Sequence, residues 1–302
     1  MGLKIACLAA KTLPRPWLYR CSDTLAAIGF HILRGFRTRS LRNMSLAVGN
    51  TWNGMPAQEI VRRSLRNFFR DFVEIANRLV VSDEQLRSEI PIQGRQHLEA
   101  ALSKGRGVIA LGAHLGNFFL IGTRLTAEGY TTHVLVNQPR GGTYAKLAHE
   151  YRLQARQKTI HARPRPAALR ELHLVLRRNE VAVIIADEYR SGSGVSVPLF
   201  GRTVLARRGP ATLALRTGAA VVPVSLVRDE KSNLKLIIEP ELELLRTHKD
   251  KIEIRENTLR MTQWLEKTVR AYPDQWNWMN VRWRDDSDRA VADEQRVQRL
   301  TY

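Results

Sequence analysis

Apolar residues fall in two different rhythms along this chain. Before about residue 107 they recur every three or four positions, the period of a helix with one buried face. Ser22 or Asp23 can cap a helix in which Leu25, Ile28, Ile32 and Leu33 share a side, and the segment leaves on Arg34, Arg37, Arg39 and Arg42. A second helix is predicted over 56–81, where Ile60, Leu65, Phe68, Phe69, Phe72, Ile75 and Leu79 form a core-facing stripe. From Gly107 onward, short apolar runs at 108–111, 133–136, 181–186, 220–227 and 234–238 read as buried strands. Amphipathic stretches at 118–128, 144–156, 166–178 and 209–217 read as the helices between them. A last helix over 257–271 precedes Trp276, Trp278 and Trp283, an aromatic clamp packing the chain end. This alternation predicts an α/β fold, a mixed central sheet covered by helices. We divide the chain into an N-terminal helical, membrane-proximal segment (1–90), an α/β domain (91–284) and a charged tail (285–302).

Composition narrows the class. The 302 residues are 44% hydrophobic and 25% charged, which excludes wholesale disorder, collagen-like repeats and a multi-span membrane protein. Against 29 Asp+Glu stand 48 Lys+Arg, a net charge of +19 that attracts polyanions such as nucleic acid, anionic lipid headgroups or acidic carrier proteins. No nucleic-acid-binding module accompanies the charge, so nucleic acid is not expected as a partner. Cys7 and Cys21 are too few for a disulfide framework or a four-cysteine zinc site and fit a reducing compartment. Lys11 interrupts the first apolar stretch too early for a signal peptide, so secretion is not expected. Residues 17–36 contain Arg20, Asp23, His31 and Arg34, fall short of the ~20 apolar residues of a span, and should lie on a surface.

None of the eight histidines has a metal-binding spacing, and there is no nucleophile elbow, P-loop or dinucleotide fingerprint. Metal and nucleotide cofactors are therefore not expected. The sharpest local feature is Gly112-Ala113-His114-Leu115-Gly116-Asn117 directly after the strand at 108–111, at the sheet edge where α/β proteins place ligands. By position alone, His114 fits a structural role better than catalysis, since a single histidine after a strand is more often structural.

With further pieces in order, the chain resembles the bacterial lipid A lauroyl/myristoyl acyltransferases of the lysophospholipid acyltransferase superfamily. Those pieces are Ala186-Asp187-Glu188, Val197-Pro198-Leu199-Phe200-Gly201-Arg202, Gly209-Pro210-Ala211, Arg216-Thr217-Gly218-Ala219, Val222-Pro223 and Pro273-Asp274-Gln275-Trp276-Asn277-Trp278 with Arg282-Trp283. The likeness runs from the helical segment with Arg39, Asn43 and Arg63 to Trp283. It implies a glycerolipid-acyltransferase-like fold and an enzyme that moves a fatty acyl chain from acyl carrier protein or a coenzyme A thioester to a glycolipid or phospholipid hydroxyl. It also implies an anionic membrane lipid as acceptor and a peripheral position on the cytoplasmic face of the bacterial inner membrane.

The family pairs its histidine with an acid five residues later, because a weakly nucleophilic hydroxyl needs a base and the base needs a carboxylate to fix its tautomer. That position holds Phe119, and Glu128 is too far along the following helix to substitute. Three readings stay open: His114 acts alone, Asp187 or Glu188 at the end of the strand at 181–186 supplies the acid, or the chain is a catalytically impaired lipid-binding paralogue. Candidate substrate contacts are Asn117 in the histidine motif, Arg190 in the glycine-bearing loop, and Arg202, Arg207 and Arg208 before the helix at Gly209-Pro210, where arginines beside a helix N-terminus suit an anion.

Overall fold

The computed structural model describes residues 2–137, 143–189, 194–247 and 250–284. The expected tail at 285–302 and Arg190 lie outside the described residues. The chain starts with helices α1 (Gly2–Thr12), α2 (Arg15–Ile32) and α3 (Arg34–Val48), a small hairpin of β1 (Thr51–Trp52) and β2 (Met55–Pro56), then α4 (Ala57–Arg78) and α5 (Asp83–Glu89). Alternation follows: β3 (Ile92–Gln93), α6 (Arg95–Leu102), β4 (Val108–Gly112), α7 (Ile121–Ala127), β5 (Thr132–Val136), α8 (Thr143–Gln154), β6 (Lys158–His161), α9 (Arg165–Arg177) and β7 (Val181–Ile185). The last part holds β8 (Val195–Leu199), β9 (Arg202–Ala206), α10 (Gly209–Thr217), β10 (Ala220–Arg228), β11 (Leu234–Ile238) and α11 (Asp250–Ala271).

Two helices start about two turns earlier than the sequence reading has them. Helix α2 begins well before Ser22 and Asp23, with prolines in and beside its first turn, where a missing N–H costs nothing and a fixed φ suits the helix. Ser22 is instead buried, and Asp23 pairs with Arg70 of α4 at 2.5 Å. Helix α11 begins at Asp250, and Asn257 lies within it, its side chain bonded to both the N–H and the carbonyl of Leu245.

A seven-stranded sheet runs in the order β3-β11-β10-β4-β7-β5-β6. Strands β10 and β11 are antiparallel and the other neighbours parallel, so the sheet is mixed. Strand β4 is buried on both faces, which is why it reads as a continuous apolar run without alternation. Its side chains still alternate: Ile109 and Leu111 join one core layer with Leu176, Ala214 and Leu265 of α9, α10 and α11, while Val108 and Ala110 join another with Leu98 and Leu125 of α6 and α7.

The β8–β9 hairpin forms a second sheet that the apolar runs did not reveal. Its two-residue turn, Phe200-Gly201, has φ of 51° and 72°, the left-handed pair that matches strand twist in a tight hairpin. Phe200 holds this uncommon conformation while buried, with its N–H donating to Glu266 of α11 at 2.6 Å and the Arg270 guanidinium 4.8 Å from its ring. Helices α3 and α4 grip the other end of the chain: Asn43 donates to the carbonyls of Trp278 and Val281, Ser64 to that of Trp276 and Asn67 to that of Asp274.

Candidate active site

Strands β4 and β7 are parallel neighbours in which Gly112 stands opposite Ile185. Two residues beyond each of these, the chain reaches His114 and Asp187, so equal overhangs from adjacent strands meet at the C-terminal edge of the sheet. His114 Nδ1 lies 2.7 Å from Asp187 Oδ1. The His114 backbone N–H also donates to both carboxylate oxygens at 3.0 Å, and the Trp276 indole N–H donates to Oδ2 at 2.8 Å. Of the two acids considered for the relay, Asp187 therefore faces the histidine. Glu188 turns toward Arg207, 3.6 Å away.

The Asp187 side chain is 1% exposed against 20% for His114. Burial alone pushes its carboxyl up, but the charge and ring bond of His114, the indole of Trp276 and the backbone N–H outweigh it and hold the group below the usual aspartate range. A buried carboxylate on Nδ1 fixes the imidazole so that Nε2 is the nitrogen able to accept a proton.

The loop carrying His114 is fastened on both sides. Gly116 N–H donates to the Gln275 carbonyl at 2.8 Å, Asn277 N–H to that of His114 at 3.2 Å, and Asn117 N–H to that of Leu226 at 2.9 Å. Gly116 is required here, because its φ is +57° and a Cβ would sit 2.0 Å from the Leu226 carbonyl oxygen. Phe119, where the acid was expected, lies in a short 3-10 turn, half-buried and stacked on Phe118 with ring centres 4.3 Å apart. The Phe118 ring in turn stands edge-on to His114 at 4.7 Å. Glu128 caps the end of α7 in ion pairs with Arg124 and Arg95.

A family model for bacterial lipid A biosynthesis acyltransferases matches residues 3–285. The chain belongs to this family. Among curated relatives, a phosphatidylinositol mannoside acyltransferase of Mycolicibacterium smegmatis is 26% identical over 261 residues, 85% of this chain and 81% of that protein. A phosphatidylinositol mannoside acyltransferase of Mycobacterium tuberculosis is 26% identical over 220 residues, 72% of this chain and 68% of that protein. The protein is thus an acyltransferase.

The candidate substrate contacts of this acyltransferase separate in space. Arg207 lines a small cavity with Asp187, Gly112, Tyr189, Met261 and Leu265, beside the dyad. Arg208 follows it at the N-terminus of α10. Arg202 lies at the far end of β9, ~16 Å from Arg207 by strand rise, with its guanidinium on the Leu46 carbonyl. Asn117 is fully buried, and its amide donates to Glu74 at 2.9 Å and to the Asp71 carbonyl. That placement makes it a support beneath the loop, not the substrate contact expected of it, because a short amide with no exposed surface cannot reach a ligand. Sequence reasoning missed Trp276 as a site residue; its signal was an indole N–H inside a motif read only for packing.

Beneath the loop lies a buried charge cluster. Arg228, at the end of β10, contacts Asp71 and Glu74 of α4, and Glu74 also accepts from the Tyr19 hydroxyl at 2.6 Å. Gln275 bonds both the N–H and the carbonyl of Arg228, tying the cluster to the segment that carries Trp276. Among the described residues no group of three or more His, Cys, Asp or Glu side chains is placed to hold a metal ion.

Proposed function

We propose that this acyltransferase moves a fatty acyl chain from an acyl carrier protein or coenzyme A thioester to a glycolipid or phospholipid hydroxyl, with His114 as general base and Asp187 as its relay acid. The observation that carries the reading is the 2.7 Å contact between His114 Nδ1 and the buried Asp187 carboxylate at the sheet edge. His114 Nε2 takes the proton of the acceptor hydroxyl as its oxygen attacks the thioester carbonyl carbon. The tetrahedral adduct collapses, the carbon–sulfur bond breaks, and the imidazolium returns the proton to the departing thiolate, leaving an ester and a free thiol. Asp187 stays ionised throughout and stabilises the imidazolium, the part a relay carboxylate plays in hydrolytic triads.

The similarity to proteins named phosphatidylinositol mannoside acyltransferases supports an anionic glycolipid as acceptor here. Attachment to the membrane is assigned to α1, α2 and the turn into α3. Leu8, Leu13, Trp17, Leu25, Ile28, Ile32 and Leu33 are exposed there, beside Arg20, Arg34, Arg39 and Arg42. Apolar side chains at headgroup depth flanked by arginines suit an anionic surface, each nearby cation adding ~1 kcal/mol. Among the described residues no helix is long and apolar enough to cross a membrane; the exposed apolar and basic side chains of α1 to α3 support a peripheral mode, which we assign to the cytoplasmic face of the bacterial inner membrane. The net charge of +19 would also steer an acidic carrier protein toward the chain.

The test compares by mass spectrometry the lipids of a deletion strain with those of strains restored by wild type, His114→Ala or Asp187→Asn. An acylated lipid lost on deletion and restored by wild type but by neither variant is the expected result and names acceptor and chain. Restoration by His114→Ala overturns the assignment of the base. Restoration of the lipid by neither variant nor wild type shows that the missing species is not the product.

A further inference from the structure

Asp187 is held by three groups that do different things. The His114 backbone N–H reaches both carboxylate oxygens at the same 3.0 Å and so does not distinguish between them. The imidazole takes Oδ1. What fixes the other oxygen is the indole N–H of Trp276, at 2.8 Å from Oδ2. The ring that carries this N–H has little freedom. It is 1% exposed, stands edge-on to Trp278 at 4.9 Å, and its own carbonyl accepts from Ser64 while its neighbour Asn277 donates to the His114 carbonyl.

We propose that Trp276 is a positioning residue for the catalytic pair: its indole N–H locks the rotation of the Asp187 carboxylate so that Oδ1 faces His114, and it lowers the basicity of that carboxylate. This rests on the reading of His114 and Asp187 as base and relay acid. A charge-assisted N–H to a buried carboxylate is among the stronger side-chain bonds, and its loss leaves an oxygen of a 1% exposed carboxylate without that partner. Without it the carboxylate rocks between two orientations and becomes more basic, so it binds the imidazolium more tightly. The prediction is a slower enzyme whose base titrates at higher pH.

Among the described residues, other titratable or charged groups near the pair come from the loop after β7, the segment after β9 and α11. Tyr189 on the same loop and Arg207 after β9 line the cavity with Asp187, Arg207 being paired with Glu188 on that loop, and Glu266 of α11 lies beyond Tyr189. All of them are retained when Trp276 is replaced.

The fold supplies its own control. Trp278 is as buried as Trp276, packs on the same Phe200 and also uses its indole N–H, but donates it to the Pro273 carbonyl at 2.7 Å. Trp276→Phe and Trp278→Phe remove the same atoms from the same cluster, and only the first removes a donor from Asp187. The full-length chain carrying each change is followed by NMR titration of the His114 imidazole and by acyl transfer against pH. Trp276→Phe should raise the imidazole midpoint by about one pH unit and lower kcat on the order of ten- to hundred-fold with KM little changed. Trp278→Phe should lose stability without moving the midpoint. In the unmutated protein, which needs no variant to fold, the Trp276 indole N–H resonance should move with pH at the imidazole midpoint while that of Trp278 stays in place.

A Trp276→Phe midpoint equal to that of wild type, or a Trp276 indole resonance indifferent to His114 titration, overturns the proposal. Asp187→Asn tells the two layers apart. If it lowers the midpoint and abolishes turnover while Trp276→Phe behaves like Trp278→Phe, the positioning role fails and the catalytic pair stands. If Asp187→Asn itself leaves midpoint and turnover unchanged, the pair fails and the proposal with it.

Discussion

Arg228→Met is the perturbation whose cost follows most directly from the structure. Arg228 is 4% exposed and its guanidinium touches two carboxylates, Asp71 and Glu74, with the Asn67 carbonyl at 3.4 Å as a further acceptor. Arg228 is the buried cation between two buried acids, Arg15 reaching Glu74 from the partly exposed rim, and the cluster is relieved when one acid keeps a proton. Burial, against the pull of Arg228 and with the charge of Glu74 adding to it, pushes the Asp71 carboxyl up to about 7. Methionine preserves the length and volume of the stem and deletes the charge. Glu74 would retain the Tyr19 hydroxyl at 2.6 Å, the Asn117 amide at 2.9 Å and Arg15 at 3.8 Å, whereas Asp71 would lose the guanidinium that pairs with it. Removing one partner of a buried ion pair costs ~3–5 kcal/mol, which for 302 residues corresponds to a Tm lower by roughly 5–8 °C. Asp71→Asn is the counterpart: it leaves one acid for one cation and should cost less than ~1 kcal/mol. It should also change the pH dependence. An acid raised in the folded state protects that state below the ordinary aspartate range near 4, and the protection is lost as pH rises toward 7. Wild type should thus gain stability between pH 7 and 5, and Asp71→Asn should flatten that slope. Urea titrations followed by far-UV circular dichroism at both pH values read all three proteins. Arg228→Met within ~1 kcal/mol of wild type, or Asp71→Asn as damaging as Arg228→Met, would refute the reasoning.

Phe119→Glu should destabilise the protein by several kcal/mol, because it puts a charge against the Phe118 ring and the core layer behind it, and should not raise activity, since Asp187 already holds Nδ1; a stable variant with strongly increased acyl transfer would show that this packing tolerates an acid and that the relay was incomplete. The protein should sediment with membranes and be released in large part by salt or alkaline wash, because surface charge carries much of the attachment and salt screens it. Release only by detergent would contradict a peripheral mode.

How legible each feature was depended on what its residues had to do locally. Strand β4 and helix α10 announce themselves, the first by a run buried on both faces, the second by Gly209-Pro210 at its start and Gly218 in the left-handed region after its end. The β8–β9 hairpin was hidden because Pro198 and exposed Ser196 and Arg202 interrupt its apolar positions, and only the turn at Phe200-Gly201 betrays it. The carboxylate that faces His114 could be narrowed to Asp187 or Glu188 from a strand end, but choosing between them requires the register that sets Gly112 opposite Ile185, a relation between segments that no local spacing encodes. Asn117 failed for the converse reason: a polar residue in a catalytic motif looks like a ligand contact until the acid it supports, Glu74, is brought under it from α4.

The grip of the amino-terminal helices on the far end of the chain has a consequence for how the enzyme comes into being. The bonds from Asn43, Ser64 and Asn67 span 235, 212 and 207 residues, and they hold the segment that brings Trp276 to Asp187. Contacts of such sequence separation form late, because the entropy of closing so large a loop must be overcome before any of them contributes. During synthesis, β4 and β7 can pair and bring the imidazole to its carboxylate long before residues 274–281 leave the ribosome. Until then Asp187 lacks its indole partner, and α3 and α4 have nothing from that segment to close upon. Nascent chains should therefore carry an unfinished site through most of translation, and the carboxyl-terminal segment acts as the latch whose arrival completes it.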